Sequence, residues 1–81
     1  MKNMKIKNKN IISEVNGIEI GMVVGDDRVE QFYERDGKIY VWTRDGEEAS
    51  EFLVKEDGFY SEYDNELIFS NKEILEWNKN W

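Results

Sequence analysis

The chain of 81 residues contains no cysteine, no histidine and no proline. Without cysteine it can build neither a disulfide framework nor a thiolate metal site, so apolar packing must supply its stability. The same absence fits a reducing compartment. Without histidine it lacks the side chain that most often serves as a general base near neutral pH and as a metal ligand. None of Ser13, Ser50, Ser61 and Ser70 therefore has an imidazole to activate it. No EF-hand spacing or other dense set of oxygen ligands occurs, and Asp64-Asn65-Glu66 reads as a solvated turn. The expectation is a protein that is not an enzyme, with no catalytic residue, no cofactor and no metal.

Also missing is any apolar run near the roughly 18 residues of a membrane span, and the basic start is not followed by the apolar stretch of a signal peptide. The reading is a soluble, cytoplasmic protein with no membrane partner. At this length the chain is one domain that buries roughly 60–65% of its unfolded surface. Three Trp, four Tyr and four Phe compensate for the small size, because each buried ring removes roughly 150–250 Å² from water. Lys, Asn and Ile each occur eight times, a bias of AT-rich coding, which suggests a phage or mobile-element gene.

Charge is unevenly placed. Residues 1–10 carry four lysines and no acid, while the remainder has a net charge of −11. Two regions follow: a basic arm over 1–10, expected to be frayed, and a single acidic β-rich domain over 11–81. Such a body is repelled by nucleic acid and anionic membrane and attracted to basic surfaces.

Turn signals fall at Asn16-Gly17, Gly25-Asp26-Asp27, Asp36-Gly37, Asp45-Gly46, Asp57-Gly58 and Asp64-Asn65, and their starting positions lie 9, 11, 9, 12 and 7 residues apart. That spacing predicts a meander of short antiparallel strands. Asn-Gly and Asp-Gly supply the positive φ that both central residues of a type I′ hairpin require. Lys38–Arg44 alternates Ile39 and Val41 against Tyr40 and Trp42, apolar on both sides, which predicts a central strand with two covered faces and Trp42 in the core.

Turn position also fixes pairing. A two-residue loop at 36–37 sets Arg35 opposite Lys38, Tyr33 opposite Tyr40 and Gln31 opposite Trp42, with Val29, Gln31 and Tyr33 on one side of their strand and Glu30, Phe32 and Glu34 on the other. Ile18 to Val24 reads as one strand presenting Ile18, Ile20, Met22 and Val24, with Gly21 as a bulge or close-contact point. Pairing of the first segment should be firm from about Ile11. Glu47 to Glu56 is open between a short helix and a strand; the aromatic run after Asp57-Gly58 favours strand from about Glu51. Ser70 and Glu73 form a capping-box pattern opening a helix at about 71–80, with Ile74, Trp77, Asn78 and Trp81 along one face. The expected fold is mainly β (α+β): a single curved antiparallel meander sheet or small barrel of five to seven strands with a short C-terminal helix.

Two functional expectations follow. The first is a small acidic binding protein, an inhibitor that blocks a basic, nucleic-acid-binding surface of a partner protein by nucleic-acid mimicry, presenting Asp26, Asp27, Glu30, Glu34, Glu47, Glu48, Glu62, Asp64 and Glu66 where that partner expects phosphates. The second is a barrel module that takes a basic or proline-rich peptide in an aromatic groove of Tyr33, Tyr40, Trp42 and Tyr60. Direct binding of nucleic acid is excluded in both, because stacking platforms for bases come with a positive groove. The sequence leaves the oligomeric state open.

Overall fold

A computed structural model of the chain describes residues 12–81. The expected basic arm lies outside the described residues. Strands β1 (Glu14–Val15) and β2 (Ile18–Glu19) form a small hairpin of their own. Strands β3 (Val23–Val24), β4 (Asp27–Arg35), β5 (Lys38–Asp45), β6 (Glu48–Lys55), β7 (Gly58–Tyr60) and β8 (Leu67–Ser70) form one six-stranded antiparallel sheet in sequence order, followed by helix α1 (Asn71–Trp77). This is the expected meander. It is an open sheet rather than a closed barrel, since β3 and β8 do not pair. No helix among the described residues is long and apolar enough to cross a membrane.

Local chemistry explains the hairpins. Asn16-Gly17 and Asp36-Gly37 both adopt positive φ, at 58° and 86° and at 55° and 80°, as the type I′ turn demands. The second of them produces the expected register, with Arg35 opposite Lys38, Tyr33 opposite Tyr40 and Gln31 opposite Trp42. Two other turns sit one residue away from their predicted places. The β5–β6 loop is Gly46-Glu47, with Asp45 opposite Glu48, and the β6–β7 loop is Glu56-Asp57, with Lys55 opposite Gly58. Residues 48–55 are strand throughout, so pairing along β5 overrides the helical spacing of Ala49, Phe52 and Leu53.

Three corrections come from packing. First, the register slips between Val29 and Gln31. Glu30 is the extra residue of a bulge, which turns Val29 to the same buried side as Phe32 instead of opposite it. Second, 18–24 is not one strand. The chain bends at Ile20-Gly21, where Gly21 donates to the Val29 carbonyl at 2.8 Å and Val29 donates to that of Met22 at 2.9 Å. Ile18, Met22 and Val24 are buried while Ile20 is exposed. Gly21 is also the anticipated close-contact point, since a Cβ there would lie 3.1 Å from the Trp81 ring. Third, α1 is one turn shorter than predicted. Its capping box is present, with Ser70 Oγ accepting from the Glu73 N–H and the Glu73 carboxylate accepting from the Ser70 N–H, but it ends at Trp77.

The core lies between one face of the sheet, the β1–β2 hairpin and α1. Ile18, Met22, Val24, Val29, Phe32, Val41, Phe59 and Ile74 form it, with Ile12, Val15, Phe52, Val54 and Phe69 packed around them. Ile12 bridges to Phe32 at the outer side of β4. Trp77 meets Phe69 edge-on at 5.9 Å and Trp81 donates to Glu19 at 3.2 Å, yet both indoles remain largely exposed. Asn78, predicted only as a position on the helix face, is buried along with Ile74. Its Oδ1 accepts from the Val23 N–H and its Nδ2 donates to the Val23 and Ile74 carbonyls, each at 2.8 Å. One side-chain amide thus imitates a neighbouring strand for the edge residue Val23 and satisfies a helix-end carbonyl.

Candidate functional site

Since α1 and the hairpin cover one face of the sheet, the other face is open. Strand pairing aligns side chains across it: Tyr33, Tyr40, Leu53 and Tyr60 fall in one row, and Gln31, Trp42 and Glu51 in the next. Tyr33 stacks on Tyr40 at 5.5 Å and meets Trp42 edge-on at 6.3 Å. The Arg35 guanidinium lies 4.3 Å from the Tyr40 ring centre and is paired with Glu62 at 3.6 Å.

These contacts correct the expectation for β5. Only one of its faces is covered by another layer. Tyr40 is 4% exposed because its neighbours on the same face, Tyr33, Arg35 and Glu62, enclose it, whereas Trp42 is 39% exposed. The indole N–H has a partner on the open face, donating to Glu51 Oε2 at 3.1 Å. Tyr33 donates to the same carboxylate oxygen.

Glu51 was not singled out by sequence reasoning, and it is the hub of this face. The turn signal points elsewhere: a loop at Asp45-Gly46 would set Ala49 opposite Trp42, and only the observed loop at Gly46-Glu47 brings Glu51 there. Burial, and after it the negative charge of Glu62, raise the Glu51 carboxyl above its usual 4.5. A carboxyl with a raised folded-state pKa takes up a proton more readily in the native than in the unfolded chain. Its contribution therefore favours the native state at acid pH and is lost as pH rises through and above 4.5. Glu51→Gln should remove this component while keeping an acceptor for Trp42 and Tyr33. The urea midpoint of Glu51→Gln relative to the parent should rise between about pH 4 and about pH 7; a constant difference would show that the carboxyl is not strained.

The remaining expected groove residue, Tyr60, is half-buried and set apart from Tyr40 by Leu53. Its hydroxyl donates to both oxygens of Asp57, at 2.9 and 2.8 Å. That bond, then desolvation and the Asp57 charge, hold its phenol above the ordinary value.

The nine anticipated carboxylates do not converge. Asp26, Asp27, Glu47 and Glu48 gather at the end of the sheet that carries the 25–26 and 46–47 turns. Asp27 is half-buried and accepts from the buried Thr43 hydroxyl at 2.6 Å, a structural duty. Glu30, on the bulge, is paired with Arg44 at 2.9 Å. Glu34 is exposed near the opposite end of β4. Glu62, Asp64 and Glu66 belong to the β7–β8 connection, where Asp64 accepts from Ser61 at 2.6 Å. The carboxylates of Asp26, Glu34, Glu47, Glu48 and Glu66 have no hydrogen-bond or ion-pair partner among the described residues. No group of three or more acidic side chains among the described residues is close enough to hold a metal ion.

One concave region lies beside the open face. A groove of about 420 Å³ is lined by Ser50, Glu51 and Phe52 of β6, by Ser61, Glu62 and Tyr63 of the β7–β8 connection, and by Ile68. Tyr63 is 97% exposed and Ile68 is also exposed. No family model, curated protein or solved structure matches the chain.

Proposed function

We propose that the protein is a non-catalytic binding protein whose acidic surface engages a partner with a basic surface, and that it inhibits that partner by occupying a site otherwise open to nucleic acid. The observation that supports this most is the surplus of unneutralised carboxylate. The described residues carry a net charge of −11, and their ion pairs are confined to Arg35–Glu62, Arg44–Glu30 and Lys79–Glu76, all exposed. Exposed pairs of this kind contribute little to folding. A field of one sign on a rigid sheet favours rapid capture of an oppositely charged partner.

The test is capture of proteins from a host lysate on the immobilised chain at low and at high salt, followed by a nucleic-acid displacement assay on what is retained. Retention should fall steeply with ionic strength. Joint reversal of Glu47 and Glu48 to lysine, or of Asp64 and Glu66, should weaken it at least about tenfold. Retention indifferent to both salt and charge reversal would overturn the reading.

A further inference from the structure

Strand β6 has eight residues, but β7 pairs with only three of them, Leu53, Val54 and Lys55. At Ser61 the chain leaves the sheet for the β7–β8 connection, where Ser61 donates to the Glu66 carbonyl and accepts from the Asn65 N–H, each at 2.9 Å. The first five residues of β6, Glu48 to Phe52, are therefore an edge without a neighbour among the described residues.

Hairpin geometry says which backbone groups face this vacancy. Across the two-residue loop at 46–47, Glu48 exchanges its hydrogen bonds with Asp45, so Glu48, Ser50 and Phe52 direct theirs toward β5. Across the loop at 56–57, Lys55 exchanges with Gly58, so Lys55 and Leu53 direct theirs toward β7. Both counts leave Ala49 and Glu51 pointing into the place that β7 vacates. The groove lies along that edge, with Phe52, Ile68 and Tyr63 as apolar contacts and Glu51 and Glu62 as carboxylates.

We infer that this edge is a docking site for an extended, cationic segment of a partner protein, which adds to the sheet beside Glu48–Phe52 as a further strand. The inference rests on the acidic-binding reading above and specifies the form of the partner. Strand addition uses the backbone for affinity and alternate side chains for selectivity. Here one side of the incoming strand meets Glu51 and Glu62, and these accept Lys or Arg. The only described cation in contact with them is Arg35, paired with Glu62.

Charge also decides against a second copy of this chain. An antiparallel pairing of two β6 edges centred on Ser50 would make the two Glu51 side chains diagonal neighbours on one face, between bodies of net charge −11. Acidic side chains on an edge block pairing with an acidic twin while admitting a basic strand.

Synthetic peptides test this directly. The probe is an acetylated, amidated seven-residue peptide of alternating Lys and Val, compared with the same peptide N-methylated at alternate residues and with a Glu/Val counterpart, by calorimetry at low salt. The Lys/Val peptide should bind, the Glu/Val peptide should not, and N-methylation should weaken binding at least about tenfold by removing ladder hydrogen bonds. Ala49→Pro, which deletes an outward N–H and leaves the β5 ladder intact, should weaken it similarly. Amide shifts should be confined to residues 48–52 and 61–68. If the Lys/Val peptide binds but neither N-methylation nor Ala49→Pro matters, the edge is not the site while the acidic-surface reading stands. Failure to bind the peptide, with salt-sensitive capture of basic proteins intact, also overturns strand addition alone. If capture fails as well, both readings fall. Concentration-dependent dimerisation abolished by Ala49→Pro would assign the edge to self-association instead.

Discussion

Gly58→Ala is expected to cost at least about 3 kcal/mol of stability, a large share of what an 81-residue domain possesses. Gly58 opens β7 directly opposite Ser70, and the two strands approach so closely that a Cβ would overlap the Phe69 carbonyl oxygen and lie 2.9 Å from the Ser70 Cα and 2.8 Å from Leu67 Cδ1. Two of these three contacts are backbone, held in place by the ladder, so they cannot swing aside. Relief requires β8 to lift away, and β8 carries Phe69 and the N-cap of α1. At roughly 4–8 °C per kcal/mol for a domain of this size, the melting temperature should fall by more than about 12 °C. Gly37→Ala is the internal comparison. Gly37 has positive φ but nothing within 4 Å of its virtual Cβ, so only the conformational penalty of about 1 kcal/mol applies. Equal losses in the two variants would show that the close approach at Gly58 is not the cause.

Asn78→Ala should cost about 2 kcal/mol, because it strands the N–H and C=O of Val23 at a half-buried sheet edge packed against α1. Asn78 is only 8% exposed, and it lies 55 residues from Val23 in the chain. The loss should be local as well as global, with the Val23 amide exchanging hydrogen faster relative to those of β5. Asn78→Asp sharpens the test. An ionised aspartate still accepts from the Val23 N–H but faces the Val23 and Ile74 carbonyls with a negative charge. Its carboxyl pKa is raised in the folded state, so this variant should regain stability on acidification and lose it as pH rises. A variant as stable as the parent at neutral pH would mean that the amide donor contributes nothing.

Both sites were hidden from the sequence for the same reason. Gly58 was visible as half of an Asp-Gly turn signal, but the turn lies at Glu56-Asp57, and the glycine is required by a strand that arrives eleven or twelve residues later. Asn78 was visible as a helix-face residue, and nothing local distinguished it from Trp77 or Trp81. Burial chose it because the helix ends at Trp77 and places its C-cap against β3. The Glu30 bulge is a similar case. Strict alternation puts Val29 and Phe32 on opposite faces, and only the free energy of burying both supplies a reason for an extra residue.

The candidate site divides along the same line. Pairing of Tyr33 with Tyr40 and of Gln31 with Trp42 followed from Asp36-Gly37 alone. Exposure of Trp42 did not, and nor did the convergence of Tyr33 and Trp42 on Glu51, because these depend on which face α1 covers. The open edge of β6 depends on where β7 stops, which is set by the backbone bonds between Ser61 and residues 65 and 66.

The sequence by itself determined the meander, the register of the β4–β5 hairpin, the capping box that starts the helix and the acidic surface. Each is encoded within a few residues, by positive-φ turn chemistry, side-chain alternation, a reciprocal cap or simple charge count. The tertiary structure alone decided that the sheet stays open, which of its faces is covered, where α1 ends, what Gly58 and Asn78 pack and bond against, and that five residues of β6 have no neighbour on the β7 side among the described residues. Those outcomes turn on segments far apart in the chain meeting at van der Waals distance, and pairwise contact of that kind has no local signature for a single sequence to carry.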